Sequence, residues 1–301
     1  MKKIVLPFIF MVFLPVLFLN AQVSVSSDGS SASPGAMLEV KSTDKGFLPP
    51  RMTTAQRDAI SPPVEGLMIY NTDQKALNIF DGTSWTSLYS FVCGLSMIDT
   101  RDMKVYKTVQ IGTQCWMAQN LNVGARKNGN VDHSDNDILE KYCYGDAESN
   151  CGLYGGLYQW DEMMQYVTTE GTKGICPDGW HIPSDSDWCI LATFLASQII
   201  DCAYLYYDNN DAGGQMKETT TWRAPNSGAS NSSGFTGLPG GYRAYYGLQY
   251  AEMYNHGLWW SSTQYTDPDY SMYWDLYHSA EGVARYASLK ADGLSVRCLK
   301  D

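Results

Sequence analysis

The alternation of apolar and polar positions changes character several times along the chain. Ile4 to Leu19 is one apolar run, broken only by Pro7 and Pro15. Val23 to Ala36 is rich in Ser and Gly and reads as a linker. Short elements follow. Met37 to Val40 reads as a strand, and Thr53 to Ile60 as one short helix with a Thr cap. Gly66 to Tyr70 and Leu77 to Phe80 read as paired strands, with Asp81-Gly82 as a turn. In 108–121, Val109, Ile111 and Trp116 alternate with polar neighbours, as in a half-buried strand. Leu157, Trp160, Met163, Met164 and Val167 recur at helical spacing. Ser184 followed by Asp187 is a capping-box pattern, and Trp188, Leu191 and Leu195 form the helical stripe it opens. Helical periodicity stops after residue 200. Residues 204–301 are aromatic-rich segments between Gly, Asn, Ser and Asp turns, read as strands and long loops. Two helices followed by a loop-rich antiparallel sheet make an α+β layout.

The apolar start fixes the expected compartment. Met1-Lys2-Lys3 is a basic opening, and Leu19-Asn20-Ala21 before Gln22 offers a small residue for cleavage. Residues 1–21 therefore read as a secretory signal peptide. The run is short for a membrane span, and no later segment is apolar enough to cross a bilayer. The expected location is secreted or at the cell surface, after cleavage near Ala21. With 21 Lys plus Arg against 32 Asp plus Glu, the net charge of −11 argues against nucleic acid or an anionic membrane as partner. A hydrophobic share of 44% argues against disorder. All eight Cys lie between Cys93 and Cys298, which separates residues 22–90 from 91–301. The first stretch has few large apolar residues, so alone it buries a thin core and calls for association with another copy or with the next domain.

Two resemblances refine this outline. "GFLPPRMTTAQRDAISPPVEGLMIYNTDQKALNIFDGTSWTSL" resembles a module of secreted surface proteins and phage tail-fibre-like proteins. It implies a small β-rich stalk or attachment module over 22–90, able to form a homotrimer. Further on, "IGTQCWMAQNLNVG", "EKYCYGDAESNCGLYGGLYQWDEMM", "GICPDGWHIPSDSDW", "GFTGLPGGYRA", "WWSST" and "GLSVRCLKD" occur in order and together resemble the Fibrobacter succinogenes major paralogous domain. That resemblance covers about 93–301 and implies a C-type-lectin-like fold.

In an exported chain the cysteines read as disulfides. Cys143 and Cys151 close a small ring by spacing, and Cys189 and Cys202 flank the helical stripe. The lectin-like fold implies a Cys176–Cys298 bridge tying the chain end to the domain middle, which leaves Cys93 with Cys115. Many other pairings are open to eight cysteines. No cofactor is expected. For calcium, Asp208 to Gly213 fails as a loop because Thr219 stands where a bidentate Glu is needed. Asp132, Asp135 and Asp137 form a second acidic cluster, and Asp267-Pro268-Asp269 with Trp274-Asp275 only echoes a lectin site.

Enzyme motifs such as H-E-x-x-H, G-x-x-x-x-G-K-[ST] and G-x-S-x-G are absent, so no catalytic residue is named. His181 before the capped helix suits a buried, hydrogen-bonded role, and Asp161-Glu162 reads as a solvated helix edge. The aromatic excess is the remaining signal. Residues 242–288 hold ten Tyr and three Trp among Gly, Ser, Asn and Asp, a mixture that presents rigid faces and adaptable hydrogen bonds. Trp259-Trp260 is assigned to packing. Tyr245, Tyr246, Tyr250, Tyr265, Tyr270, Tyr273, Tyr277 and Tyr286 are the expected exposed, ligand-binding residues. The expectation is a surface binding protein, not an enzyme, for a glycan or protein ligand. The alternative is a structural envelope or fibre component.

Overall fold

The computed structural model describes residues 22–87, 91–198, 200–202, 205, 210–247 and 249–301. The expected signal peptide at 1–21 lies outside them. The chain divides into two compact units, 1–90 and 91–301.

In the first unit, β1 (Val23–Ser26) and β2 (Leu38–Lys41) pair in parallel, Val23 opposite Leu38 and Val25 opposite Val40. The Ser/Gly-rich opening is thus partly a strand, because Val23 and Val25 alternate with serines at a period of two. Then come β3 (Arg51–Met52), α1 (Thr54–Asp58), β4 (Met68–Asn71), β5 (Ala76–Phe80) and β6 (Trp85–Ser87). The last three strands and β3 form one sheet, in the order β3-β4-β5-β6. Thr53 caps α1 in a reciprocal box with Gln56. The core is thin: Ile69 and Ala76 are buried beside polar Arg57, Asn71 and Asn78.

The second unit opens with β7 (Met97–Asp99), β8 (Lys104–Tyr106), β9 (Thr108–Ile111), β10 (Gln114–Met117), β11 (Ala125–Lys127), β12 (Glu140–Tyr142), α2 (Glu148–Tyr154), β13 (Leu157–Tyr158), α3 (Trp160–Met163), β14 (Trp180–His181) and α4 (Asp185–Leu195). It continues with α5 (Ala212–Met216), β15 (Tyr242–Ala244), β16 (Gln249–Ala251), β17 (His256–Gln264), β18 (Tyr270–Tyr277), β19 (Val283–Leu289), β20 (Leu294–Ser295) and β21 (Leu299–Lys300). Seven strands form one sheet, β11-β12-β13-β20-β17-β18-β19, and four form a second, β14-β21-β10-β9.

The large sheet lies between two cores. Successive side chains on a strand point to opposite faces, so Trp259 joins Trp116, Trp188, Trp274 and Phe235 under α4, while Trp260 joins Trp160, Tyr158, Met163 and Trp180. Trp188, Leu191, Ala192 and Leu195 are the buried stripe of α4, and its Ser184–Asp187 capping box is present. The segment 154–167 is not one helix. Gly155 adopts φ 86°, β13 then pairs with β20, and only a four-residue helix follows. Leu157, Trp160, Met163 and Met164 are buried, but in two different elements, and Val167 is exposed. The segment 108–121 forms a hairpin, β9–β10, rather than one strand. The disulfides are Cys93–Cys115, Cys143–Cys151, Cys176–Cys298 and Cys189–Cys202.

Between the cores, Arg297 is fully buried with its guanidinium 4.1 Å from the Phe235 ring centroid. Asn120 Oδ1 accepts from Arg297 Nη2 (2.6 Å) and Nε (3.1 Å) and from Trp259 Nε1 (2.7 Å). Asn120→Ala leaves Trp259 Nε1 and Arg297 Nε buried without their acceptor. It is therefore expected to cost about 1–3 kcal/mol for each donor left unmet, read as a lower urea midpoint; an unchanged midpoint would refute this.

Candidate functional site

A cleft of about 570 Å3 lies in the second unit. Tyr245 and Tyr246 come to it from the tip of the β15–β16 hairpin, where Asp292 Oδ1 accepts the Tyr245 N–H at 2.8 Å. α3 supplies Asp161 and Glu162, with Tyr166 just beyond. The loop before β12 supplies Asp132 and His133, and the turn before β18 supplies Asp269. Lys290, after β19, holds its ammonium 4.4 Å from the Trp160 ring centroid and donates to Gln264 Oε1 at 2.8 Å.

Two buried side chains fix this wall. Gln159 accepts the His133 N–H at 2.7 Å and donates to Asp132 Oδ1 (3.0 Å) and to the Ala291 carbonyl (2.8 Å). Arg243 donates to the Gly129 and Ala291 carbonyls, both at 2.9 Å, and to Asp132 Oδ1 at 2.8 Å. Its guanidinium covers Tyr142 at 4.7 Å, and Tyr142 stacks on His133 at 4.1 Å with 15° between the planes. At the rim, Gln165 and Tyr166 both take left-handed backbone, φ 53° and 58°. Two consecutive non-glycine residues there store strain that the surroundings must hold. Tyr166 Oη donates to Glu162 Oε2 at 2.9 Å, and Glu162 Oε1 accepts the Glu140 N–H at 2.9 Å.

The electrostatics follow from this burial. Burial raises the Glu162 carboxyl above the usual range, against the hydrogen bonds from Glu140 and Tyr166. Burial also raises Asp161, with Lys290 pulling it back. His133 is pushed down to about 3, chiefly by burial, with Glu140 opposing and Arg243 and Lys127 adding. Both its ring nitrogens are buried without a hydrogen bond, so it serves as a neutral stacking plate. The cleft therefore offers carboxyl groups, phenol rings and one ammonium: acceptors and donors for hydroxyls, and flat faces for apolar edges.

The eight tyrosines expected at an exposed face do not form one. Tyr245, Tyr246 and Tyr265 are exposed, Tyr246 most at 76%. Tyr265 sits at the β17–β18 turn, where its N–H donates to the Tyr270 carbonyl at 3.1 Å. Tyr250, Tyr270, Tyr273, Tyr277 and Tyr286 are half-buried, which corrects the expectation of exposure. Tyr273 packs between Trp260 and Tyr286, because strand alternation puts it on the face that carries Trp260. Tyr277 stacks on His256 at 4.5 Å. Tyr250 packs on Tyr144 and donates to Asp146 Oδ1 at 2.7 Å. Tyr270 lies opposite Leu289 in the ladder. Tyr254, not singled out from the sequence, is 50% exposed.

Glu162 is buried rather than a solvated edge. Tyr245, Tyr246, Asp132 and Asp269, all singled out in the sequence, line this cleft together with the Asp161-Glu162 pair; His133, Gln159 and Lys290 gave no signal. His181 is half-buried in β14 and bonds Asp301 Oδ1 at 2.8 Å.

Among the described residues, the clusters weighed for calcium are not gathered into a metal-like group. Asp208 and Asn209 lie outside the described residues. Asn210 Oδ1 and Asp211 Oδ1 accept the Ala212 and Ser197 N–H groups. Asp132 pairs with Arg243, and Asp275 with His256 at 2.9 Å. Among the described residues, one metal-like trio is gathered, Cys143, Glu148 and Cys151, and its two sulfurs are bonded to each other.

His133 generates a pH prediction. The unfolded ring takes a proton near its ordinary 6.5, while the folded ring stays neutral down to about 3. The unfolded state binds more protons in that window, so the contribution of this site is present above 6.5 and is lost as pH falls toward 3. His133→Phe keeps the stack and takes up no proton. Its unfolding free energy should fall less steeply with acid than the wild type's across that window; parallel curves would refute the assignment.

Residues 28–110 match the model of a phage tail like trimerisation region. No curated protein and no solved structure matches the chain. Residues 109–300 match the Fibrobacter succinogenes major domain. That match spans well over half of the 301 residues, and with the order of motifs above it places the chain in the Fibrobacter succinogenes major domain family.

Proposed function

We propose that this is a secreted, surface-associated binding protein that takes a glycan in the cleft between Tyr245, Tyr246, Asp161 and Glu162. The carrying observation is the composition of that cleft: two exposed phenol rings face several carboxyl groups across about 570 Å3. Sugar rings stack their C–H edges on such faces, while carboxyl groups accept hydroxyls. The net charge of −11 favours neutral or cationic sugars over acidic ones. Four disulfides support export to an oxidising compartment. A C-type-lectin-like fold for the second unit is part of this reading. It is supported by the antiparallel pairing of β10 with β21 and by the Cys176–Cys298 bridge, which bring chain end and domain middle together.

A second reading, a structural fibre component, is favoured by the trimerisation match and by the first unit. Val23, Val25, Leu38 and Val40 are all exposed on one face of the β1–β2 pair. Two strands cannot bury such a face alone, so we read the first unit as a homotrimeric stalk that displays three copies of the binding unit.

The binding reading is tested by a glycan array on the full chain, followed by calorimetry on any hit. Tyr245→Ala/Tyr246→Ala should weaken binding at least about tenfold, about 1.4 kcal/mol. Tyr265→Ala should leave it unchanged, and the glycan should be recovered intact. No binding anywhere on the array, or equal loss in both variants, would sink the cleft assignment.

A further inference from the structure

We infer that the β7–β8 hairpin of the second unit makes a trimer contact of its own, its outer face seating against a second copy of this chain. This rests on the homotrimer reading and names a surface that reading does not contain.

The hairpin has two unlike faces. Ile98 pairs across from Val105, and Met97 across from Tyr106. Met97 and Tyr106 pack into the core with Trp160 and Trp260. Ile98 and Val105, on the opposite face, are 53% and 56% exposed. Val92, Leu95 and Met103 in the same segment are exposed at 56–68%. Five large apolar side chains thus stand outward within the fourteen residues from Val92 to Val105. Solvated hairpins place polar residues there instead.

The segment is also held rigid. Cys93 is bonded to Cys115. Asp99 is fully buried and takes Arg101 at 2.9 and 2.6 Å, and Arg101 reaches the Ile175 carbonyl at 2.8 Å. The Asn122 N–H donates to Tyr106 Oη at 3.0 Å. A strip that is firmly anchored behind and apolar in front suits a fixed contact rather than a mobile loop. The hairpin forms a two-stranded sheet of its own, with both outer edges unpaired.

The occupant is named by the extent of the trimerisation match. That match runs to residue 110, while the first compact unit ends at Ser90. All five outward residues fall in the overhang. A trimerisation region that includes them has a use for an apolar face that the second unit alone does not.

Sedimentation velocity over a dilution series of the full chain tests this. The wild type should sediment as a trimer. Ile98→Lys/Val105→Lys should dissociate at a concentration at least tenfold higher, with its thermal unfolding unchanged at protein concentrations where both chains are monomeric. If the lysine pair fails to fold, Ile98→Thr/Val105→Thr, which keeps the β-branched shape, should still shift dissociation at least threefold. A wild-type monomer at every concentration would overturn the trimer reading and this contact with it. A wild-type trimer that Val25→Lys/Val40→Lys dissociates, while the hairpin variants match the wild type, would overturn the hairpin contact alone.

Discussion

A buried guanidinium sets the frame of the second unit. Arg297 cannot shed its charge cheaply, so its donors must all be met inside the protein. The acceptors are Asn120 Oδ1 and the carbonyls of Met117, Phe235 and Thr236. Two distant stretches, 117–120 and 235–236, are thereby fixed to one planar group. Asn120 then carries the constraint outward, donating to the Tyr154 carbonyl and Ser295 Oγ while accepting from Trp259. Lys217 repeats the device on a smaller scale, with its ammonium donating to the carbonyls of Ser227, Tyr277 and Ala280. Long loops that lack regular ladders still need partners for their carbonyls, and these two cations supply them.

Once Trp259 is fixed, the neighbouring Trp260 has to enter the other core. Its Nε1 donates to the Tyr158 carbonyl, and Trp160 Nε1 donates back to the Ser261 carbonyl, both at 2.8 Å. These two indole bonds lock β13 and the short α3 that follows it against β17. That lock is what presents Asp161 and Glu162 at the edge of the sheet and lets Lys290 lie over Trp160. The cleft is a consequence of how two tryptophans cross the sheet.

Local signals in the sequence were legible where one element owned them. The α4 stripe, its Ser184–Asp187 cap and the α1 cap at Thr53 depend on residues within a turn or two of one another. The apolar spacing over 157–167 misled because burial on a strand and burial on a helix share apolar positions over so short a span. Gly155 and β13 decide between them only through pairing with β20, far along the chain. The tyrosines misled for a related reason. Composition marks Tyr273, Tyr277 and Tyr286 as interface-like, yet alternation in β18 and β19 assigns their face. Tyr245 and Tyr246 escaped that fate because they stand on a hairpin tip. His133 and Gln159 carried no signal, since their role rests on Arg243, Tyr142 and Ala291 at long range.

The acidity has a structural cause as well as a solvent one. A unit made of short strands and long loops leaves many N–H groups without ladder partners, and carboxylates meet them. Asp146 accepts from Gly129, Glu140 from Ser134, Asp292 from Tyr245, Asp187 from Ser184 and Glu218 from Thr220 and Thr221. In the first unit the N–H groups of Ser84 and Thr83 hold the Asp81 carboxyl well below its usual range. Much of the excess of 32 acids over 21 bases is therefore committed to folding loops. Asp161 stands apart from that set: burial raises its carboxyl, Lys290 draws it back, and it lines the cleft beside Tyr245 and Tyr246. In a chain that spends its carboxylates on its own backbone, one held at the wall of a cleft is the one that the proposed glycan reading assigns to a ligand hydroxyl.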